Sequence, residues 1–82
     1  MVHSMCVLVK ANDQQTSLQQ VGKLIRESRL KADLTQKELA QKLGISAPTV
    51  NKYENNGQQV TIEVLSKIAH VLDLDLLVGF QT

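Results

Sequence analysis

Residues 34–54 read LTQKELAQKLGISAPTVNKYE, and the order of residue types in that stretch dictates two short helices joined by a tight turn. Thr35 is a helix N-cap, and Glu38, three residues on, can bond back to the cap's own amide to complete a capping box. Leu39, Ala40 and Leu43 recur on one side of the first helix, while Gln36, Lys37, Gln41 and Lys42 occupy the other. Leu39 and Leu43 therefore face a core, and Ala40 is small where the next helix has to cross closely. Gly44 stands where the chain takes a left-handed conformation and stops the first helix abruptly. Ile45 plugs the turn, and Ser46 caps the second helix. Pro48 falls in its first turn, where an amide would have no intrahelical partner. Val50 and Tyr53 return to the inner side, which leaves Ala47, Thr49, Asn51 and Lys52 pointing outward.

Working outward from this pair, Ser17 reads as the cap of a helix running to about Lys31, with Gln20 closing a second capping box. Its inward stripe is Leu18, Val21, Leu24, Ile25 and Ser28. Asn55 to Val60 is a turn containing Gly57, and Thr61 caps a last helix in which Ile62, Leu65, Ile68, Ala69 and Leu72 repeat at helical spacing. Met5 to Lys10 is β-prone, and Asn12 to Thr16 is a polar linker. In the tail, Leu74, Leu76, Val78 and Phe80 alternate with Asp75, Leu77, Gly79 and Gln81, which is strand spacing. A lone strand needs a partner. The same residues can also be read as a fifth helix capped by Asp75. The expected organisation is thus an extension over 1–16, a helical domain over 17–73 and a strand over 74–82.

Composition narrows the alternatives. A chain of 82 residues is one domain, near the size at which a single core buries only ~60–65% of the unfolded surface, so added stability from a partner chain is expected. With 43% hydrophobic residues and one proline it reads as globular rather than disordered. Tyr53 and Phe80 are its only aromatic residues, too few for a stacking platform on single-stranded nucleic acid. The apolar runs fall far below the ~20 residues of a membrane span, and the N-terminus carries no secretory pattern. The single cysteine, Cys6, excludes an internal disulfide and fits a reducing cytoplasm. Net charge is only +1, but its distribution is uneven. From Thr16 to Gly57, seven cations (Lys23, Arg26, Arg29, Lys31, Lys37, Lys42, Lys52) stand against four anions (Glu27, Asp33, Glu38, Glu54), an excess of three. Beyond Gly57, Lys67 stands alone against Glu63, Asp73 and Asp75. The excess of cations coincides with the two-helix motif, an arrangement with which small proteins place a helix in the DNA major groove.

The segment TQKELAQKLGIS, with Val50, Tyr53-Glu54 and the Leu65/Ala69/Leu72 helix, resembles the lambda repressor/Cro-like, or Xre-type, helix-turn-helix family over Leu18 to about Leu74. The tail resembles that of HipB-type antitoxins, in which a strand is shared between two subunits. The resemblance implies a mainly α fold of four to five helices. A short C-terminal strand, with an N-terminal one at its edge, would pair across a homodimer through Leu74, Leu76, Val78 and Phe80. It also implies that Gln36 bonds a backbone phosphate at a helix N-terminus and that the exposed start of the second helix reads bases. By chemistry Lys52 suits guanine O6 or N7, Asn51 suits adenine or a phosphate, and Thr49 or Ala47 suits a thymine methyl. Ser46 is shared between capping and a phosphate. Pro48 stands where relatives often carry a base-reading side chain, so fewer bases are read there. Asn55 closes this surface, opening a loop to Gln59 that is uncharged where relatives often place lysines, which weakens the grip on phosphates. Arg29 and Glu54 match a pair that braces the first helix against the recognition helix, a structural role.

Other chemistries find little support. His3 and Cys6 supply two candidate metal ligands and His70 stands alone, so no metal is expected. No nucleophile setting, paired carboxylates or phosphate loop suggests an enzyme or a cofactor. The expectation is a cytoplasmic, homodimeric repressor of a palindromic double-stranded operator. Its leading version is the antitoxin of a toxin–antitoxin operon, with a HipA-like kinase toxin as partner. The alternatives are a stand-alone phage-type or restriction-controller regulator and, from another class, a protein-interaction adaptor that binds no DNA.

Overall fold

A local rule, that helices start at hydroxyl caps and stop at left-handed residues, accounts for most of the element boundaries. A computed structural model describes residues 3–6, 17–57 and 59–80. Among these lie β1 (His3–Cys6), α1 (Ser17–Lys31), α2 (Gln36–Leu43), α3 (Ala47–Asn56), α4 (Ile62–Val71) and β2 (Leu74–Leu77). Thr35 caps α2 with both arms of its capping box formed: the Glu38 amide donates to Thr35 Oγ1 at 3.0 Å, and the Thr35 amide donates to Glu38 Oε1 at 2.9 Å. Gly44 ends α2 at φ +72°. Ser46 and Thr61 cap α3 and α4, and Pro48 lies in the first turn of α3. Ser17, by contrast, is the first residue of α1 itself rather than its cap, and the residue before it lies outside the described residues.

The core is built in two parts that share Leu43 and Leu72. Ile25, Leu65, Ile68 and Ala69 form one, and Leu39, Ala40 and Val50 form the other. Full burial of Ile25, Leu39, Val50 and Ile68 contributes roughly 1.5–3 kcal/mol each. The inward face of α1 keeps Val21, Leu24 and Ile25 of the expected stripe and widens to take in Gly22 and Arg29. Gly22, Ile25 and Arg29 are its buried residues, and Leu18 is half exposed. The cause is the close crossing of α1 over α3: a Cβ at position 22 would stand 2.5 Å from the Glu54 carbonyl oxygen and 2.9 Å from that of Tyr53. Only glycine allows that approach. In α4 the expected Ile62 is exposed, and the half-buried Val64 packs on the core in its place.

The tail is a strand rather than a fifth helix, and its partner lies in the same chain. β2 pairs with β1 in parallel, His3 opposite Leu74 through Cys6 opposite Leu77. The N-terminal strand therefore begins at His3 and not Met5, and the rest of the expected segment, 7–10, lies outside the described residues. Leu74 and Leu76 pack against the core of their own chain, alternating with exposed Asp75 and Leu77. The strand stops at Leu77, so Val78 and Phe80 lie beyond it, exposed. Leu74 and Leu76 thus lay their apolar face on their own chain, with the N-terminal strand at one edge of β2, and the expected pairing with a second copy concerns the other edge. In a two-stranded sheet β1 covers one edge of β2, and its other edge has no partner strand among the described residues.

Candidate nucleic-acid interface

Two caps and a buried ion pair hold α3 in place. At its start, Ser46 Oγ accepts from the Thr49 amide at 3.3 Å and lies 2.8 Å from Thr49 Oγ1. Ala47 and Thr49 are half-buried, Ala47 because it also packs on the Leu39/Ala40/Val50 part of the core. Pro48, Asn51, Lys52 and Asn55 are exposed. Lys52 enters none of the three ion pairs among the described residues, which are Lys23–Glu27, Arg29–Glu54 and Lys67–Glu63. Its ammonium is therefore available to an external acceptor. The sequence-predicted residues 46–52 thus cover the cap of α3 and the first part of the helix, with Ala47 turned partly inward and Asn55 about two and a half turns from Ser46 along the same helix.

At the far end of α3, Glu54 is buried and receives Arg29 through two nitrogens. Arg29 Nε donates to Glu54 Oε2 at 2.6 Å and Nη2 donates to Oε1 at 3.1 Å. The third arm, Nη1, donates to the Leu34 carbonyl oxygen at 2.7 Å, on the loop just before α2. One guanidinium on α1 therefore ties together the recognition helix and the entry to its neighbour, with the fork geometry that suits a carboxylate. The hydrogen bond to Glu54 raises the Arg29 pKa further, against the opposing effect of burial. Glu38, fully exposed, has its carboxyl held below the usual value by the hydrogen bond from the Thr35 amide and then by the Thr35 side chain.

Gln36 takes a position that its residue type alone does not reveal. Its side-chain nitrogen donates to Glu54 Oε1 and to Asn51 Oδ1, both at 3.2 Å. Gln36, Glu54 and Asn51 therefore belong to one hydrogen-bonded chain that runs from the core to the exposed face of α3. The residue missed by sequence reasoning is Gly22, which sets how closely α1 lies on α3. A glycine inside a strongly helical pattern costs ~1 kcal/mol against alanine, and that cost was the available signal.

Residues 25–78 match the helix-turn-helix family profile. Among curated proteins, the chain is 36% identical over 61 residues to the antitoxin HipB of Escherichia coli K12, covering 74% of this chain and 66% of HipB. It is 40% identical over 55 residues to the propionyl-CoA carboxylase regulator of Cereibacter sphaeroides, covering 67% of this chain but 12% of that protein. Among solved structures, a variant of the restriction-modification controller protein C.Esp1396I superimposes with a TM-score of 0.67 at 29% identity, covering 71% of this chain and 77% of that one. Several of the curated relatives are much longer proteins, of which this chain spans between 12% and 37%.

Proposed function

The chain belongs to the helix-turn-helix family of lambda repressor-like DNA-binding regulators, and from that premise we propose that it represses transcription as a homodimer bound to a palindromic operator. The observation that carries this reading is the start of α3. Lys52, Asn51 and Thr49 stand on a helix that the buried Arg29–Glu54 pair clamps in place. Ser46, Ala47, Pro48 and Asn55 complete the surface offered to the duplex, and Lys52 and Asn51 are the side chains that reach base edges. Gln36 meets a phosphate through its backbone amide, as the first residue of α2.

The leading biological version is an antitoxin that represses its own promoter and holds a HipA-like kinase toxin, in the cytoplasm where the promoter lies. Similarity to HipB over most of the chain supports it, as does a C-terminal strand with an open edge. That edge pairs antiparallel with the same strand of a second copy, giving a four-stranded sheet with β1 on each flank and one patch used twice. A second reading, a controller-type regulator without a toxin, is favoured by the likeness to C.Esp1396I. A neighbouring gene that encodes a kinase toxin separates the two.

The test is fluorescence anisotropy of the full chain against duplexes from the region upstream of its own gene, at several salt concentrations. Tight, salt-dependent binding to a palindrome with half-sites ~10–10.5 base pairs apart is expected. Affinity no greater than for random duplex at the same salt, for every fragment, would leave the protein-interaction adaptor as the better reading. Light scattering on the same sample should give the mass of a dimer.

A further inference from the structure

The buried ion pair fixes which face of the Asn51 amide is shown to the outside. A carboxylate only accepts hydrogen bonds, so the group of Gln36 that meets Glu54 Oε1 at 3.2 Å has to be its NH2. That orientation is enforced from the core, because Arg29 holds the Glu54 carboxylate in place through two of its nitrogens. The same NH2 carries a second hydrogen, and it points at Asn51 Oδ1, also at 3.2 Å. Both donors of Gln36 are then used. The Asn51 oxygen is turned back toward α2, and its NH2 is the group left to face an external partner.

Building on the DNA-binding reading above, we propose that Asn51 is a donor-only reader. It selects guanine, whose N7 and O6 both accept, over adenine, which offers N7 alone beside the N6 donor. Pairing with adenine needs the oxygen and the nitrogen of the amide side by side on one edge, accepting from N6 and donating to N7, and the bond to Gln36 takes the oxygen away from that edge. Gln36 and Arg29 act through Asn51 and are positioning residues. The same accounting means that the Gln36 side chain has no hydrogen left for a phosphate, so its contribution to phosphate binding comes from its main-chain amide.

The test has one arm without DNA and one with it. In the free protein, nuclear magnetic resonance should show the Gln36 side-chain NH2 exchanging with solvent more slowly than that of Asn51. Equal, fast exchange would overturn the inward bond whatever the protein binds. In the second arm, the full chain selects from a random duplex pool, and comparison with Asn51→Ala locates the base pair that Asn51 reads. At that pair guanine should exceed adenine by roughly fivefold or more, the low end of what a base-edge contact discriminates. Gln36→Met should reduce this preference to less than about twofold. Asn51→Asp, which keeps the bond from Gln36 but offers an acceptor, should move it to cytosine. Adenine enriched by the parent protein, or a preference unchanged in both variants, would overturn the assignment. A pool in which no sequence is enriched over the input would overturn the DNA-binding reading itself, even with the exchange result intact.

Discussion

Gly22→Ala opposes two effects whose signs differ, and the structure says which is larger. Helix propensity alone favours alanine by ~1 kcal/mol in the middle of α1. The new methyl, however, would stand 2.5 Å and 2.9 Å from the carbonyl oxygens of Glu54 and Tyr53. Both are main-chain atoms of α3, so no side chain can swing aside, and the two helices have to part by about 0.5–1 Å. A gap of that size forfeits roughly a quarter to a half of the dispersion energy across it. Overpacking typically costs ~1–3 kcal/mol, and two backbone contacts place this site in the upper half of that range. The net expectation is a loss of about 1–2 kcal/mol, or a fall in Tm of roughly 4–16 °C for a domain of this size. Thermal unfolding followed by circular dichroism measures it, with Lys23→Ala on the exposed side of α1 as the control for propensity. A Tm at or above that of the parent would mean that α1 and α3 do not cross as closely as described, and the reasoning would fail.

Arg29→Met strands the Glu54 carboxylate, whose side chain is 2% exposed, and should cost ~3–5 kcal/mol, whereas Arg29→Met with Glu54→Leu should cost less than the single change; urea unfolding of the three proteins decides it, and a single variant within about 1 kcal/mol of the parent would contradict the brace. Glu38→Ala should lower stability at neutral pH. Because the folded carboxyl sits below its ordinary 4.5, its contribution is present above that range and is lost as pH falls through the lowered value, so the deficit should narrow in acid; a deficit constant with pH would show that charge plays no part in the capping box. Lys52→Ala should weaken operator binding by ~1–3 kcal/mol and relax selectivity at one base pair, measured by anisotropy over a set of single-base operator variants. A uniform loss across that set would make Lys52 a phosphate contact.

The α2–α3 pair was legible in the sequence because its boundaries are set by local chemistry. Thr35 with Glu38, the left-handed Gly44, and Ser46 with Pro48 each act within one turn of chain, and so each reads correctly without knowledge of the fold. That Gly22 also faces inward on α1 was not legible, because it depends on a contact between Gly22 and residues more than thirty positions away. Periodicity finds a helix but cannot tell which of two adjacent faces a glycine will turn inward. The register of β2 was not legible for a related reason. Its alternation specifies a strand and places Leu74 and Leu76 on one face, but which residues of β1 stand opposite depends on long-range closure. Gln36 shows the limit at a single side chain. Residue type and position suggest a phosphate contact equally well whether or not the amide is held by Glu54 and Asn51.

The central claim, that the exposed start of α3 meets duplex DNA, is tested most directly by following the backbone amides of the full chain by nuclear magnetic resonance during titration with its upstream palindrome. The account predicts that the largest shifts fall on Gln36, on residues 46, 47 and 49–52 and on Asn55, with the outer face of α4 at Glu63, Ser66 and Lys67 nearly silent. Shifts concentrated on α4 or on the exposed face of α1, with 46, 47 and 49–52 unmoved, would contradict it.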